Sequence, residues 1–212
     1  MKRFLGCILT IALVVLMFPQ TAFAAKKSAD LSSQIQVIAE YNYQIFDISN
    51  SRNYIVVVQN NSKYAARIEA NGYALDATGA IVEVKEEVIR SIAPGKQAVL
   101  DFWMDNNENN EVAFTSQIKA TKLAYEKDYS DAIVYSMNPT ANSAVVTVTN
   151  TGNKAADVTV QAVFLKGTEI AYYNYEWISD MDAGLTEAVQ IESGDRAFDN
   201  CLIFVQSSYF NF

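Results

Sequence analysis

The chain contains no histidine, and this removes Ser-His and Cys-His nucleophile systems and every His-containing zinc site. Beyond the first 25 residues the only cysteine is Cys201, within Asn200-Cys201-Leu202-Ile203-Phe204-Val205. That string reads as the buried end of a strand, so the thiol is expected to pack and not to react. Ser62-Lys63 lacks the Ser-x-x-Lys spacing of a Ser-Lys nucleophile, and no glycine-rich phosphate loop is present. Carboxylates are plentiful. Glu83, Glu86 and Glu87 flank Lys85 on one apolar-polar run, which predicts a solvated face in place of the paired acids of a glycosidase. Asp105-Asn106-Asn107-Glu108-Asn109-Asn110-Glu111 is the one oxygen-rich loop. It starts like a calcium loop, but Asn110 and Ser116 stand where Gly and Glu are needed, so a polar hairpin tip is expected. No catalytic residue, metal or cofactor is assigned, and the chain is not expected to be an enzyme.

Chemistry of recognition is better represented. Ala171-Tyr172-Tyr173-Asn174-Tyr175-Glu176-Trp177 is the densest aromatic segment. An internal repeat sorts it: at an offset of 89, Tyr173 and Trp177 take the places of Val84 and Val88, which predicts a core role. Tyr172 and Tyr175 take the places of Glu83 and Glu86, which predicts exposure. Tyr172 and Tyr175 are therefore the candidate contacts for a sugar or protein partner.

The elements that position these residues follow from the pattern of the chain. Lys2 and Arg3 precede an uncharged apolar run from Phe4 to Phe18, and Ala22-Phe23-Ala24-Ala25 supplies small residues. This three-part layout predicts a secretory signal peptide over residues 1–25. The apolar run falls short of the roughly 20 residues that a spanning helix needs, so membrane contact is expected only through that peptide before cleavage. Export places the protein outside the cytoplasm, in the cell envelope or secreted, and Cys201 then has no partner for an intrachain disulfide. Of the 16 Lys and Arg, Lys2 and Arg3 leave with the peptide, so 14 face 24 Asp and Glu. That balance argues against nucleic acid and anionic surfaces as partners. Oligomeric state is not written in the sequence.

After the signal segment, β-branched and aromatic runs of five to eight residues alternate with Asn, Gly, Asp and Ser clusters, the pattern of an all-β protein. Ile55-Val56-Val57-Val58-Gln59-Asn60 recurs 90 positions later as Val145-Val146-Thr147-Val148-Thr149-Asn150, and Ala65-Ala66-Arg67-Ile68 recurs as Ala155-Ala156-Asp157-Val158. Seven of the 24 positions from 55 to 78 are identical at that offset, against roughly two expected by chance, which indicates duplication. Ile68, Ala70, Gly72 and Ala74 match Val158, Val160, Ala162 and Phe164, with Arg67, Glu69, Asn71, Thr159 and Gln161 between them. One dry face and one wet face per strand require a second sheet over the dry face. With turns at Asp76-Ala77-Thr78-Gly79 and Ala93-Pro94-Gly95, each unit reads as a β-sandwich. The expected domains are a signal peptide at 1–25, a first sandwich at 26–128 and a second at 129–212, each able to fold alone.

Val56-Val57-Val58-Gln59-Asn60-Asn61-Ser62, Ile68 through Asp76-Ala77-Thr78-Gly79, and Ile92-Ala93-Pro94-Gly95 together resemble the bacterial extracytoplasmic FxLYD-type domain, here in tandem. The naming motif is degenerate, reading Gly72-Tyr73-Ala74-Leu75-Asp76 and Ala162-Val163-Phe164-Leu165-Lys166. The resemblance implies an immunoglobulin-like sandwich and an envelope location, and it implies no activity. The expected function is thus a non-catalytic interaction module for a protein or glycan partner. The alternatives are a structural spacer or accessory subunit, and a carboxylate-dependent glycan hydrolase.

Overall fold

A computed structural model describes residues 28–45, 51–105, 111–124 and 126–210, with Phe210 described in its backbone only. The segment expected to be a signal peptide, 1–25, lies outside the described residues. So do positions 106–110 of the oxygen-rich loop. The protein is all-β. Its first half contains β1 (Ile35–Gln44), β2 (Arg52–Asn60), β3 (Ala66–Leu75), β4 (Ile81–Ile92), β5 (Gln97–Met104) and β6 (Ala113–Lys122). These pair antiparallel as sheets β1-β2-β5 and β4-β3-β6. The second half contains β7 (Glu126–Asp128), β8 (Ile133–Pro139), β9 (Ser143–Asn150), β10 (Ala156–Lys166), β11 (Glu169–Met181), β12 (Thr186–Glu192) and β13 (Asn200–Phe210). They form sheets β12-β9-β8 and β11-β10-β13-β7. Residues 126–128 thus hydrogen-bond to the last strand of the second half. No helix among the described residues is long and apolar enough to cross a membrane.

Alternation builds a core in each half. Val56, Val58, Ile68, Ala70, Ala74, Leu100 and Phe102 are buried between the first two sheets, and Val146, Val148, Val158, Val160, Ala162, Phe164 and Ile191 between the second two. The halves also repeat each other atom by atom at their turns. Asn60 and Asn150 are fully buried. Asn60 Nδ2 donates to the carbonyls of Tyr64 and Ile92, each at 2.8 Å, and Asn150 Nδ2 donates to those of Lys154 at 2.8 Å and Met181 at 2.9 Å. Each Asn Oδ1 accepts the backbone N–H two residues on, from Ser62 and Gly152, both at 3.0 Å. The asparagine carbonyls accept the N–H of Gly95 and Gly184 at 2.7 and 2.8 Å. Both glycines have positive φ, 74° and 80°, which a side chain would strain. One buried amide therefore closes the same two turns in both sandwiches.

The repeat continues upstream, where Asp30-Leu31-Ser32 matches Asp128-Tyr129-Ser130. Asp30 and Asp128 each accept the N–H and hydroxyl of the serine two residues on. Those serine hydroxyls in turn accept the N–H of Ala120 at 2.9 Å and of Ser207 at 3.1 Å.

A third apolar cluster joins the halves. Tyr43, Ile55, Val57 and Val99, on the outer face of β1-β2-β5, pack on Val163, Leu165, Tyr173 and Phe204, on the outer face of β11-β10-β13. The four sheets therefore stack, with two cores inside the sandwiches and one between them. Burial on both faces explains the unbroken runs Ile55 to Val58 and Ala162 to Leu165, because a strand buried on both sides has no wet face to display. Gln161, expected on a wet face, is instead buried by the first sandwich. The expectation of one wet face per strand holds for β3 and fails for β10.

Candidate functional site

The packed halves leave a cleft of about 430 Å³ between β4 and β5 of the first sandwich and β10, β11 and β13 of the second. Its position follows from strand chemistry. β5 is a sheet edge, so the backbone groups of Val99 facing away from β2 need partners. Gln161 supplies them. Its Nε2 donates to the Val99 carbonyl at 2.9 Å, and its Oε1 accepts the Val99 N–H at 3.1 Å, so one side-chain amide replaces a strand neighbour. The same Nε2 donates to the Tyr173 hydroxyl at 2.8 Å, and Gln206 Nε2 donates to Gln161 Oε1 at 2.9 Å. At the other side of the interface the Tyr173 N–H donates to the Tyr43 hydroxyl at 3.2 Å. Arg196 donates to the carbonyls of Gln44 and Ile45 at 2.8 and 3.0 Å, and Ser91 Oγ donates to the Asp128 carboxylate. These contacts fix the two walls relative to each other.

Asp101 stands between the walls. It is the lone charged residue in Ala98-Val99-Leu100-Asp101-Phe102-Trp103-Met104, and it lies on the same face of β5 as Val99. Its Oδ1 is buried and has no hydrogen-bond partner among the described residues. Loss of water pushes its pKa up to about 7, and the nearby Glu87 carboxylate adds to the shift. Glu87 is itself raised by burial, partly offset by a backbone hydrogen bond. The expected solvated face for Glu83, Glu86 and Glu87 is thus corrected at Glu87, which lines the cleft, while Glu86 is exposed and Glu83 pairs with Lys85 at 3.2 Å. Asp157 and Arg90 complete the charged lining.

The aromatic wall comes from β11. Tyr173, Tyr175 and Trp177 alternate onto one face. Tyr173 is buried under the first sandwich, and Tyr175 and Trp177 extend past it, 54% and 58% exposed. The Tyr173 and Tyr175 ring centroids lie 6.3 Å apart. Tyr175 sits where an exposed residue was expected, on the cleft rim. Two assignments are corrected. Trp177, expected in the core, is exposed, because it lies on the outer face of its sheet beyond the cluster with the first sandwich that buries Tyr173. Tyr172, expected to be exposed, is half-buried. Its ring meets Tyr43 edge-on at 5.8 Å, and it packs on both the second core and the shared cluster, so it holds the halves together outside the cleft. Asp101, Glu87, Gln161 and Trp177 were missed by sequence reasoning. A lone acid and a lone amide within apolar runs were the signals for Asp101 and Gln161.

Cys201 is buried on β13, and burial pushes its thiol up to about 11, so it is protonated and packed at neutral pH. No group of three or more metal-ligating side chains occurs among the described residues. Asp105, at the start of the oxygen-rich loop, is held by Lys85 at 2.5 Å.

No protein-family model and no curated protein matches the chain. Solved structures with some likeness include a red sea bream transglutaminase, 10% identical at a TM-score of 0.27, covering 82% of this chain and 29% of that one. A GH2 β-galacturonidase from Eisenbergiella tayi bound to glycerol is 11% identical at a TM-score of 0.24, over 86% of this chain and 42% of that one. The same enzyme bound to galacturonate is 13% identical at 0.21, over 81% and 36%. The chain thus spans less than half the length of each, and scores this low carry no inference about activity.

Proposed function

We propose that the chain is an exported, non-catalytic binding module of the bacterial cell envelope or exterior that holds a glycan in the cleft between its two sandwiches. The carrying observation is the pair Tyr175 and Trp177, more than half exposed and adjacent on one strand face beside a floor of polar groups. Flat aromatic faces bind the apolar faces of sugar rings, and a few convergent polar groups then fix orientation. Two residues along a strand span about 7 Å, enough platform for one ring and the start of the next. A pure spacer would have no use for this exposed aromatic surface. Calorimetry against a panel of neutral, acidic and amino oligosaccharides tests the reading. At least one should bind, and Trp177→Ala should weaken it at least tenfold; binding by no member, or unchanged binding by the variant, would overturn it. Export predicts that the extracytoplasmic protein begins near residue 25, which amino-terminal sequencing checks.

One observation favours a second reading, hydrolysis. Asp101 is raised to about 7 beside Glu87, so a proton donor and a carboxylate share one cleft. Release of reducing ends from the same panel, abolished by Asp101→Asn, would select it over simple binding.

A further inference from the structure

Asp101 faces Glu87 of β4, Tyr173 of β11 and Tyr43 of β1. Its Oδ1 is out of water with no donor, a placement that costs folding free energy unless a partner arrives. Glu87 and Asp157 line the same cleft, and Arg90 is the single cation among the lining residues. Arg90 forms no ion pair with Asp101 among the described residues. The open rim of this carboxylate-rich pocket is built of the ring faces of Tyr175 and Trp177, whose negative π-faces attract cations. A neutral hydroxyl could satisfy the Asp101 oxygen, but it would leave the repulsion between Asp101 and Glu87 in place. An ammonium group satisfies the oxygen, offsets that repulsion and sits favourably against the rings.

Resting on the glycan reading above, we infer that the cleft selects an amino sugar with a free ammonium group, its ring against Tyr175 and Trp177 and its nitrogen donating to Asp101. The chemical logic is reciprocal. The bound cation stabilises ionised Asp101, so binding draws a proton off that carboxyl near neutral pH. Acetylation of the amine removes both the charge and the multiple donors, and selectivity against the acetylated sugar follows.

The test is calorimetric titration of the full mature chain with the tetramer of glucosamine and, separately, the tetramer of N-acetylglucosamine. The glucosamine tetramer should bind at least tenfold more tightly, the preference should shrink as salt is raised, and Asp101→Asn should abolish the preference. Proton release, read at about pH 6 where the sugar amines already carry their protons and repeated in buffers of different ionisation heat, should disappear with that variant, a readout that a merely structural role would not give. Equal binding of the two tetramers, or a preference for the acetylated one, would overturn this inference while leaving the glycan reading standing. Binding of neither tetramer, with binding of a lysine-rich peptide instead, would overturn both. Thermal unfolding of the variant confirms that it is folded.

Discussion

At the scale of single residues, buried polar groups carry the most information. Asn60 and Asn150 each donate twice and accept once with no exposure. Replacing either by Asp keeps the shape but sets a carboxylate against two carbonyls. Each substitution should cost on the order of 3 kcal/mol, and the loss should be smaller at low pH, where the new carboxyl is protonated; denaturant titrations at two pH values check both points. Asp101 predicts a pH dependence of its own. Its native pKa is raised, from 3.8 to about 7, so the native state holds the proton more tightly than the unfolded chain. Stability from this group is therefore greatest below about 4, falls as pH rises through that window, and levels off above about 7. Asp101→Asn should match the parent near pH 4 and exceed it at pH 8, measured as denaturant midpoints without ligand. Neither role came from composition. The asparagines were visible as identical repeat positions without their hydrogen bonds, and Asp101 was visible only as a charge inside an apolar strand, because nothing in one strand's sequence tells what packs over its outer face.

Elements show where sequence patterns inform and where they mislead. Alternation in β3 maps directly onto burial, with Ile68, Ala70 and Ala74 inside and Glu69 exposed. In β10 the same logic stops at Gln161, from which every residue to Leu165 is buried. The cause lies 62 residues away in the chain, where the edge strand β5 accepts Gln161 in place of a neighbouring strand. Gln161→Leu keeps bulk but leaves the Val99 N–H and carbonyl unpaired. That should cost about 2 kcal/mol or more, and amide exchange at Val99 should accelerate before the rest of β5. Gly72 shows how the two copies diverged in packing. A Cβ there would lie 2.4 Å from the Phe102 ring, while the repeat counterparts are Ala162 and Ile191, with larger facing smaller. Gly72→Ala should therefore destabilise by about 1–3 kcal/mol, and pairing it with Phe102→Leu should restore part of the loss. Misassignment of Trp177 was an error of the same kind: the repeat transfers strand positions faithfully, but not which side of the strand is covered.

For the whole molecule, duplication has been followed by head-to-tail stacking. The outer face of one sheet in the first half meets the outer face of the non-equivalent sheet in the second, a contact that could in principle be repeated without closing. The faces left over at the two ends are more polar than the joined pair, although Val84 and Val88 are exposed on one and Val134 on the other. One carries Arg67, Glu69, Asn71 and Lys119, the other Thr147, Thr149, Thr186 and Gln190, and Thr149 and Thr186 hydrogen-bond to each other at 2.9 Å across the strands. Shared burial also bears on whether each half can stand alone. Residues 126–212 contain a complete second core, with β7 and Tyr129, but would uncover Val163, Leu165, Tyr173 and Phe204. Burial of such side chains contributes about 1.5–3 kcal/mol each. The isolated half is expected to unfold cooperatively at a lower temperature than the same half within the full chain, and to self-associate through the bared face, which scanning calorimetry and sedimentation would show. Two tandem sandwiches were legible in the repeat; their mode of contact, and hence the cleft, was not, because it depends on outer faces whose partners lie in the other copy.

The chain has two tryptophans, and they make the claim of an inter-sandwich binding cleft directly measurable. Trp177 lines the cleft, and Trp103 is 44% exposed outside it. In a nitrogen-15 NMR titration with glucosamine tetramer, the Trp177 indole signal should shift in step with saturation while that of Trp103 stays in place. A shift confined to Trp103, or no shift in either signal under conditions where the sugar binds, would contradict a cleft between the two sandwiches as the site.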